Sequence, residues 1–370
     1  MRFLAVLTAI LGVVYVYLAA RLAPGPWARL ALALPFVLIW LIPAIYWVGD
    51  RDRNTLYDES LHFASYLCMG WLNFALLLTL IRDAVSLSTG WTAGAPWVVL
   101  GSFGALAAGS AAALAGPRLR EVDIPIEGLD PALHGFRIVQ ITDLHVGPTI
   151  KGGYVRRVVR MANTLNADLA VLTGDLVDGS VARLGPHVAA LAVLQPAARR
   201  YFVLGNHECY SGAAQWIEHF RALGIDVLLN EYRVLPIGGA KLVVGGVLDA
   251  ATGQALRPDL AAGDGEGDAF RLLLAHNPKI APLAEQAGFD LQLSGHTHAG
   301  QFFPWTLAVR LVHAPHVSGL SRSGRMWVYV SAGTGSWGPP VRFGSQPELT
   351  LIRLVPRGAS PAQAAAGSRA

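Results

Sequence analysis

Cysteine and charge are both scarce in this chain. Two cysteines, Cys68 and Cys209, occur in 370 residues, which excludes a disulfide-stapled scaffold. They lie in different halves of the chain, so no bridge between them is expected. Charged side chains make up 15%, against roughly 25% in a typical soluble protein. That excludes a disordered polyelectrolyte, a charge-patterned coiled coil and a nucleic-acid binder held by phosphate contacts. The net charge of +4 is too small for this length to name a partner. What the chain has in excess is apolar: 53% of its residues, over a length that suits two or three domains.

The charges are unevenly spread. Residues 1–116 hold 11 of the 54, and these sit between four runs with no charge at all: Phe3–Ala20, Leu30–Gly49, Leu61–Ile81 and Trp91–Gly116. A helix needs about 20 apolar residues to cross the hydrocarbon core, so residues 1–116 are expected to form about four transmembrane helices. A soluble helical core would need a polar outer face, which four such runs in succession do not supply. The first run also has signal-peptide features, with Arg2 before it and Leu18-Ala19-Ala20 near its end. Cleaved or not, it leaves the following chain on the same side. With the N-terminus inside, the inner segments carry Arg2, Arg51, Arg53, Arg118 and Arg120, and the outer ones Arg21, Arg29 and Arg82. Five against three favours a multi-pass protein of the cell membrane with a cytoplasmic C-terminal domain. His62 and Asn73 read as packing residues between helices. A transport pathway would want several ionisable groups at membrane depth.

Residues 117–135 read as a linker leaving the membrane. From residue 136 to 356, short apolar runs alternate with helical patterns. Strands are expected at Phe136–Thr142, Leu169–Thr173, Tyr201–Leu204, Lys241–Val247, Arg271–Ala275, Asp290–Leu293, Met326–Val330 and Leu349–Leu354. Helices are expected around Val155–Leu165, Val188–Leu194 and Ala213–Leu223. The alternation implies an α/β domain, and its strand-rich second half implies two packed sheets flanked by helices. Residues 357–370, rich in Ala, Ser, Gly and Pro, read as a disordered tail.

The polar residues that stand out follow these strands. Asp143 and His145 come after the first, Asp175 after the second, and Asn206 and His207 after the third. His276 follows Arg271–Ala275, and His296 and His298 follow Asp290–Leu293. Ligand sites in α/β sheets form beyond the carboxyl ends of strands. Carboxylate, amide and imidazole donors suit Mn, Fe, Zn or Ni, and the set is larger than one tetrahedral ion requires. Gly174, Gly205 and Gly295 each directly precede one of these residues, where a tight turn would aim the next side chain into the cleft. Singly, each residue has a plain reading: a helix cap for an Asp, a turn for Asn206, a structural role for His276. Jointly and in order, those readings fail.

Asp143-Leu144-His145, Gly174-Asp175-Leu176-Val177-Asp178, Gly205-Asn206-His207-Glu208, His276 and Gly295-His296-Thr297-His298 occur in that order. The set resembles the calcineurin-like metallophosphoesterase superfamily over roughly residues 136–356. Residues 329–348 are similar to its membrane-anchored subgroup. Ala299 stands where Gly is expected there. The resemblance implies two divalent ions, Mn, Fe or Zn. One would be held by Asp143, His145, Asp175 and His298, the other by Asp175, Asn206, His276 and His296, with Asp175 shared. It further implies that His207 protonates the leaving oxygen or stabilises the transition state, and that Glu208 orients His207. Asp178 looks like a supporting or helix-capping residue and stays off the ligand set. His134, His187, His219, His313 and His316 fall outside the pattern and read as surface or structural residues, the last two in a loop placed to reach over the site. Arg342 is a lesser prospect as a phosphate grip, and Cys209 reads as a small buried apolar residue.

The resulting expectation is a membrane-anchored hydrolase of phosphate esters or anhydrides. Its expected partners are membrane lipids and a phosphate-containing substrate, with lipid-linked phosphates such as a UDP-diacylglucosamine-type precursor among the candidates. A non-catalytic membrane sensor or scaffold with the same fold would be expected to lack some of these ligands, and none is missing.

Overall fold

The computed structural model describes residues 2–48, 56–91 and 94–358. Contacts divide the chain into two units, Met1–Ala115 with Gly338–Phe343, and Gly116–Trp337 with Gly344–Ala370.

The first unit is built on α1 (Arg2–Leu22), α2 (Pro26–Val48), α3 (Leu56–Thr89) and α4 (Ala95–Leu114). All four are long and apolar enough to cross a membrane. At most 33% of any span's apolar window is buried inside the protein, so Val13, Val16, Leu30, Leu34 and Leu100 point outward. A soluble bundle would place polar residues there; this surface suits lipid. A small core of Leu18, Phe36, Ile39, Trp71 and Ala75 holds the helices together. Asp83 accepts a hydrogen bond from Tyr17 at 2.8 Å and pairs with Arg21 at 2.9 Å, which puts the ends of α1 and α3 that carry Arg21 and Arg82 side by side. Arg51 and Arg53, which weigh in the charge bias, lie outside the described residues. Within this unit the Arg342 N–H donates to the Gly109 carbonyl at 2.9 Å, and Phe343 meets Phe74 edge-on. Arg342 is fully buried there, so the reading of it as a phosphate grip gains nothing.

The second unit is α/β. Its elements run β1 (Arg118–Ile126), β2 (Arg137–Ile141), α5 (Gly152–Asn163), β3 (Leu169–Leu172), α6 (Val181–Val188), β4 (Arg200–Phe202), α7 (Asn206–Ala222), β5 (Asp226–Val227), β6 (Glu231–Ile237) and β7 (Ala240–Gly246). They continue with α8 (Pro258–Ala261), β8 (Phe270–Leu274), α9 (Ala281–Gln286), β9 (Leu291–Ser294), α10 (Trp305–His313), β10 (Gly319–Ser323), β11 (Met326–Val330) and β12 (Glu348–Pro356). Two six-stranded mixed sheets result, in the orders β1-β12-β2-β3-β4-β5 and β10-β11-β9-β8-β7-β6.

Strand alternation explains the layering. Ile138, Leu169, Val171, Leu242, Val244, Leu272, Leu274, Leu291 and Leu293 meet in one cluster between the sheets. Val139, Ile141, Ala170 and Leu172 face the other way, onto α5, α6 and α7. Leu273, Val328 and Val330 face α9. Near the end of this apolar layer sits a polar tie, Gln140, whose amide donates to Thr173 Oγ1 at 2.8 Å and across to the Ser294 carbonyl at 3.0 Å.

Two boundaries differ from expectation. Residues 117–135 are not a linker throughout: β1 pairs in parallel with β12 from Arg118 to Ile126. Its charges hid the alternation of Val122, Ile124 and Ile126, which pack inward, and an edge strand tolerates both the charges and Pro125. The tail begins later than residue 357, since the Arg357 N–H bonds the Ile126 carbonyl at 2.9 Å. Residues 359–370 lie outside the described residues.

Candidate metal centre

Every ligand expected from the sequence sits just beyond the C-terminal end of a strand. Asp143 and His145 follow β2, Asp175 follows β3, Asn206 opens α7 after β4, His276 follows β8, and His296 and His298 follow β9. β2, β3 and β4 are mutually parallel, as are β8 and β9, so their C-terminal ends converge.

The loops there are unusual. Asp143, His145, Asp175, His296 and His298 all have φ between 50° and 73°, a left-handed region that costs a non-glycine residue of order 1–3 kcal/mol. The bends therefore lie at the ligands themselves, not only at the glycines before them. Gly205 and Gly295 are required for space instead. A Cβ at Gly205 would collide with the Asp175 carboxylate, and one at Gly295 with that of Asp143.

The side chains fall into three overlapping groups with donor atoms in close reach: two half-sites, Asp143 with His145 and His298 and Asp175 with His276 and His296, and between them His145 with Asp175 and His207. Their hydrogen bonds fix which nitrogens are free. His276 Nδ1 lies 2.8 Å from the Thr173 carbonyl; a carbonyl only accepts, so Nδ1 carries the proton and Nε2 presents a lone pair. That lone pair faces Asp175 Oδ2 at 3.0 Å. His145 Nδ1 likewise donates to Asp178 Oδ1 at 2.8 Å, and its Nε2 faces His298 Nε2 at 2.9 Å. Acceptors pointed at each other this closely need a cation or a proton between them. Asn206 Oδ1 is buried without a hydrogen-bond partner, an arrangement that costs roughly 1–3 kcal/mol unless something positive fills it. The residues present therefore fit divalent metal.

The electrostatics say the same. Burial opposes ionisation of Asp143 and Asp175, yet the facing histidines, His298 first for Asp143 and His276 first for Asp175, hold both carboxyls well below the usual carboxylate range. Burial disfavours a charged His276, but Asp175 outweighs it and lifts the imidazole to about 10. His296 is driven down to about 3 by burial and by the charge of His276. A divalent ion taken up there would displace the proton that Asp175 favours on His276.

One role differs from that which the resemblance implied, that of Glu208, while Asp178 takes the supporting place read for it. Glu208 is fully buried and accepts from four backbone N–H groups: Gly205 at 2.8 Å, Asp175 at 2.9 Å, Leu176 at 2.7 Å and Val177 at 3.2 Å. It ties the β4–α7 turn to the Asp175 loop. Burial and the neighbouring Asp175 push its carboxyl up to about 7, against those bonds. The group that bonds His207 is Asp178, whose Oδ1 lies 2.8 Å from His207 Nδ1 and equally close to His145 Nδ1. Its place in the Gly174–Asp178 block was the available signal. Thr142 was missed, because a hydroxyl inside a strand gives no pattern; its Oγ1 donates to Asp143 Oδ2 at 2.7 Å. His313 is not in a loop. It ends α10, and its ring packs 5.4 Å from that of His296. His316 bonds Ser321 at 2.8 Å. Cys209 is half-buried, and burial with nearby carboxylates pushes its thiol up to about 12, so it stays protonated.

Glu208→Gln should destabilise the domain by about 2–5 kcal/mol, because its amide would confront two N–H donors that now have an acceptor. Thermal melting of the two proteins checks this; an unchanged midpoint would mean that the loops do not depend on the carboxylate.

Residues 136–300 match the family model for the calcineurin-like phosphoesterase. The chain is 36% identical over 251 residues to a transmembrane protein with metallophosphoesterase domain from Danio rerio, covering 64% of this chain and 57% of that protein. It thus spans little more than half that relative's length. It is 30% identical over 335 residues to an uncharacterized metallophosphoesterase of Campylobacter jejuni, covering 86% of this chain and 88% of that protein. Among solved structures, a 5'-nucleotidase precursor from Thermus thermophilus is similar at 16% identity, over 59% of this chain and 54% of that one, with a TM-score of 0.40.

Proposed function

The chain belongs to the calcineurin-like metallophosphoesterases, and from that membership we propose a membrane-anchored, two-metal enzyme that hydrolyses a phosphodiester or pyrophosphate bond. The observation that carries the reading is the pair of half-sites, together with the buried, unpartnered Asn206 Oδ1 at the start of α7. Asp143, His145, Asp175 and His298 would hold one ion, and Asp175, Asn206, His276 and His296 the other. Two divalent ions such as Mn, when bound there, supply Lewis acidity toward phosphoryl oxygens and acidify water.

The protein's own contribution is positioning and proton transfer. His207 is the most exposed imidazole of those bonded to Asp178, at 19% of its side chain. Because Asp178 takes the Nδ1 proton, Nε2 is the atom that faces the cleft, and in the imidazolium it can give its proton to a leaving oxygen. Burial opposes that charge, but the Asp178 bond and the charges of Asp178, Asp175 and Glu208 prevail and hold His207 at about 9. The rings of Tyr210 and Trp337 lie 5.7 Å and 5.9 Å from His207. Both are largely exposed, and they would flank an incoming substrate. Gln301 holds the Trp337 backbone from both sides, accepting its N–H and donating to its carbonyl, each at 2.8 Å.

The four apolar helices support a multi-pass anchor and a substrate at the membrane, a lipid or lipid-linked phosphate. The arginine bias of the loops supports a cytoplasmic catalytic domain. The test uses the full chain in detergent with bis(p-nitrophenyl) phosphate beside p-nitrophenyl phosphate, with Mn²⁺ or chelator. Mn²⁺ should raise the melting temperature and switch on cleavage of the diester. Loss of both responses would remove the metal assignment, and cleavage of the monoester alone would remove the diester reading.

A further inference from the structure

The helical unit holds a cavity of its own. Between α1, α2, α3 and α4 runs a groove of about 580 Å³, whose walls include Ala31 and Leu38 of α2, Trp71 of α3 and Phe103 of α4. No charged side chain lines it. From Ala28 to Leu38 it follows α2, a rise of about 15 Å at about 1.5 Å per residue. That is half of a hydrocarbon core about 30 Å thick, the depth of one leaflet. Ala28 and Ala31 lie about one turn apart on this wall, where small side chains leave the groove open.

One end of the groove is marked as the headgroup level. Trp27, Trp91 and Trp97 flank the α1–α2 and α3–α4 turns and stand 62–81% exposed, as the aromatic belt of a membrane protein does. Three arginines gather at the same end. Arg29 Nε donates to the Ala23 carbonyl at 3.3 Å, and Arg82 Nη1 donates to the Arg21 carbonyl at 3.3 Å. Leu22 and Ala23 both line the groove. Asp83 pairs with Arg21 at 2.9 Å and with Arg82 at 2.7 Å. Arg29 is exposed and pairs with no carboxylate among the described residues. The other acids described in this unit, Asp58 and Glu59, stand in the first turn of α3, at its opposite end. Three cations against one carboxylate leave positive charge in excess over an apolar groove, which complements an anionic headgroup on a hydrocarbon chain.

We propose that this groove seats one acyl chain of an anionic phospholipid of the membrane, whose phosphate is held by Arg29 and Arg21. The proposal rests on the membrane-anchor reading above and deepens it with a named lipid site. The arginine bias of the loops makes this the outer end, so the lipid is a constituent of the anchor and not the substrate of the metal centre.

The experiment titrates the detergent-purified full chain with dipalmitoyl phosphatidylglycerol, with phosphatidylcholine of the same chains and with inorganic phosphate, and follows binding by native mass spectrometry. Phosphatidylglycerol should bind at one molecule per chain, about fivefold or more tighter than phosphatidylcholine. Arg21→Gln/Arg29→Gln should erase that preference and leave phosphatidylcholine binding as it was. Ala31→Phe, which fills the groove, should weaken both lipids by about tenfold. Arg160→Gln, which removes an exposed cation of α5, should change nothing. A wild type that binds the two lipids equally would overturn the proposal, as would Ala31→Phe with wild-type lipid affinity. Inorganic phosphate that binds as tightly as phosphatidylglycerol would show an anion site without a chain and would overturn it too. If Ala31→Phe changes only the oligomeric state, a second copy of the chain covers the groove and the proposal falls. Recovery of the chain in the soluble fraction without detergent would instead remove the anchor reading itself.

Discussion

Asp175→Asn should lower phosphodiester kcat/KM by about a thousandfold, equivalent to about 4 kcal/mol of transition-state stabilisation, and should cost the protein bound metal as well. Asp175 is the residue that touches both halves of the centre. Its Oδ2 lies 3.0 Å from His276 Nε2, 3.9 Å from His145 Nε2 and 4.0 Å from His207 Nε2, while Oδ1 accepts the His207 backbone N–H at 2.8 Å. Its carboxyl stays ionised far into the acid range because His276 and His145 outweigh its burial. Asparagine keeps the shape but removes that charge, and it directs an NH₂ donor toward atoms that should meet a cation. The measurement pairs steady-state kinetics with metal content by elemental analysis. A variant that binds as much Mn²⁺ as the wild type and keeps more than a tenth of its activity would show that the two half-sites do not share this carboxylate.

How far the sequence led depends on what kind of residue did the work. The candidate ligands were legible because each combines a rare side chain with a fixed place just past a buried strand run, and six of the seven, all but Asn206, fall in groups whose donor atoms lie close together. The apolar spans were legible for an equally simple reason, since about 20 residues without charge have few uses other than crossing a membrane. Partner identity was harder to read. Glu208 beside His207 in sequence suggested a pair, but the helical turn that starts at Asn206 points Glu208 back to the Gly205 N–H and leaves His207 to Asp178. Sequence adjacency says little about side-chain direction once a helix begins. The edge strands β1, β5, β6 and β10 were missed because one face of each is polar or exposed, which leaves no continuous apolar run to find. α10 was missed for the opposite reason: its apolar residues are not buried, so no packing argument pointed to a helix.

Asp178→Asn should lower kcat by about 10–100-fold at saturating Mn²⁺ and should also move the alkaline limb of the pH–rate profile to lower pH. The two effects have different origins. One carboxylate oxygen accepts from both His145 Nδ1 and His207 Nδ1 at 2.8 Å, so it sets the tautomer of a proposed ligand and of the proposed acid together. The amide oxygen of asparagine can still accept, which preserves much of the geometry, but the charge is gone. For His207, burial lowers proton affinity, and the Asp178 bond and charge are the chief reasons it is nonetheless raised to about 9. A histidine that acts as an acid works only below its pKa, so activity falls as pH rises through that value. Removing the main raising influence lowers the pKa, and the limb follows it downward. Bound cations lower it further in both proteins, so the displacement between wild type and variant is the readout. His207→Gln should abolish the limb instead of moving it. If Asp178→Asn reduces kcat while the limb stays where it was, Asp178 acts through His145 and the metal alone, and a different group must protonate the leaving oxygen.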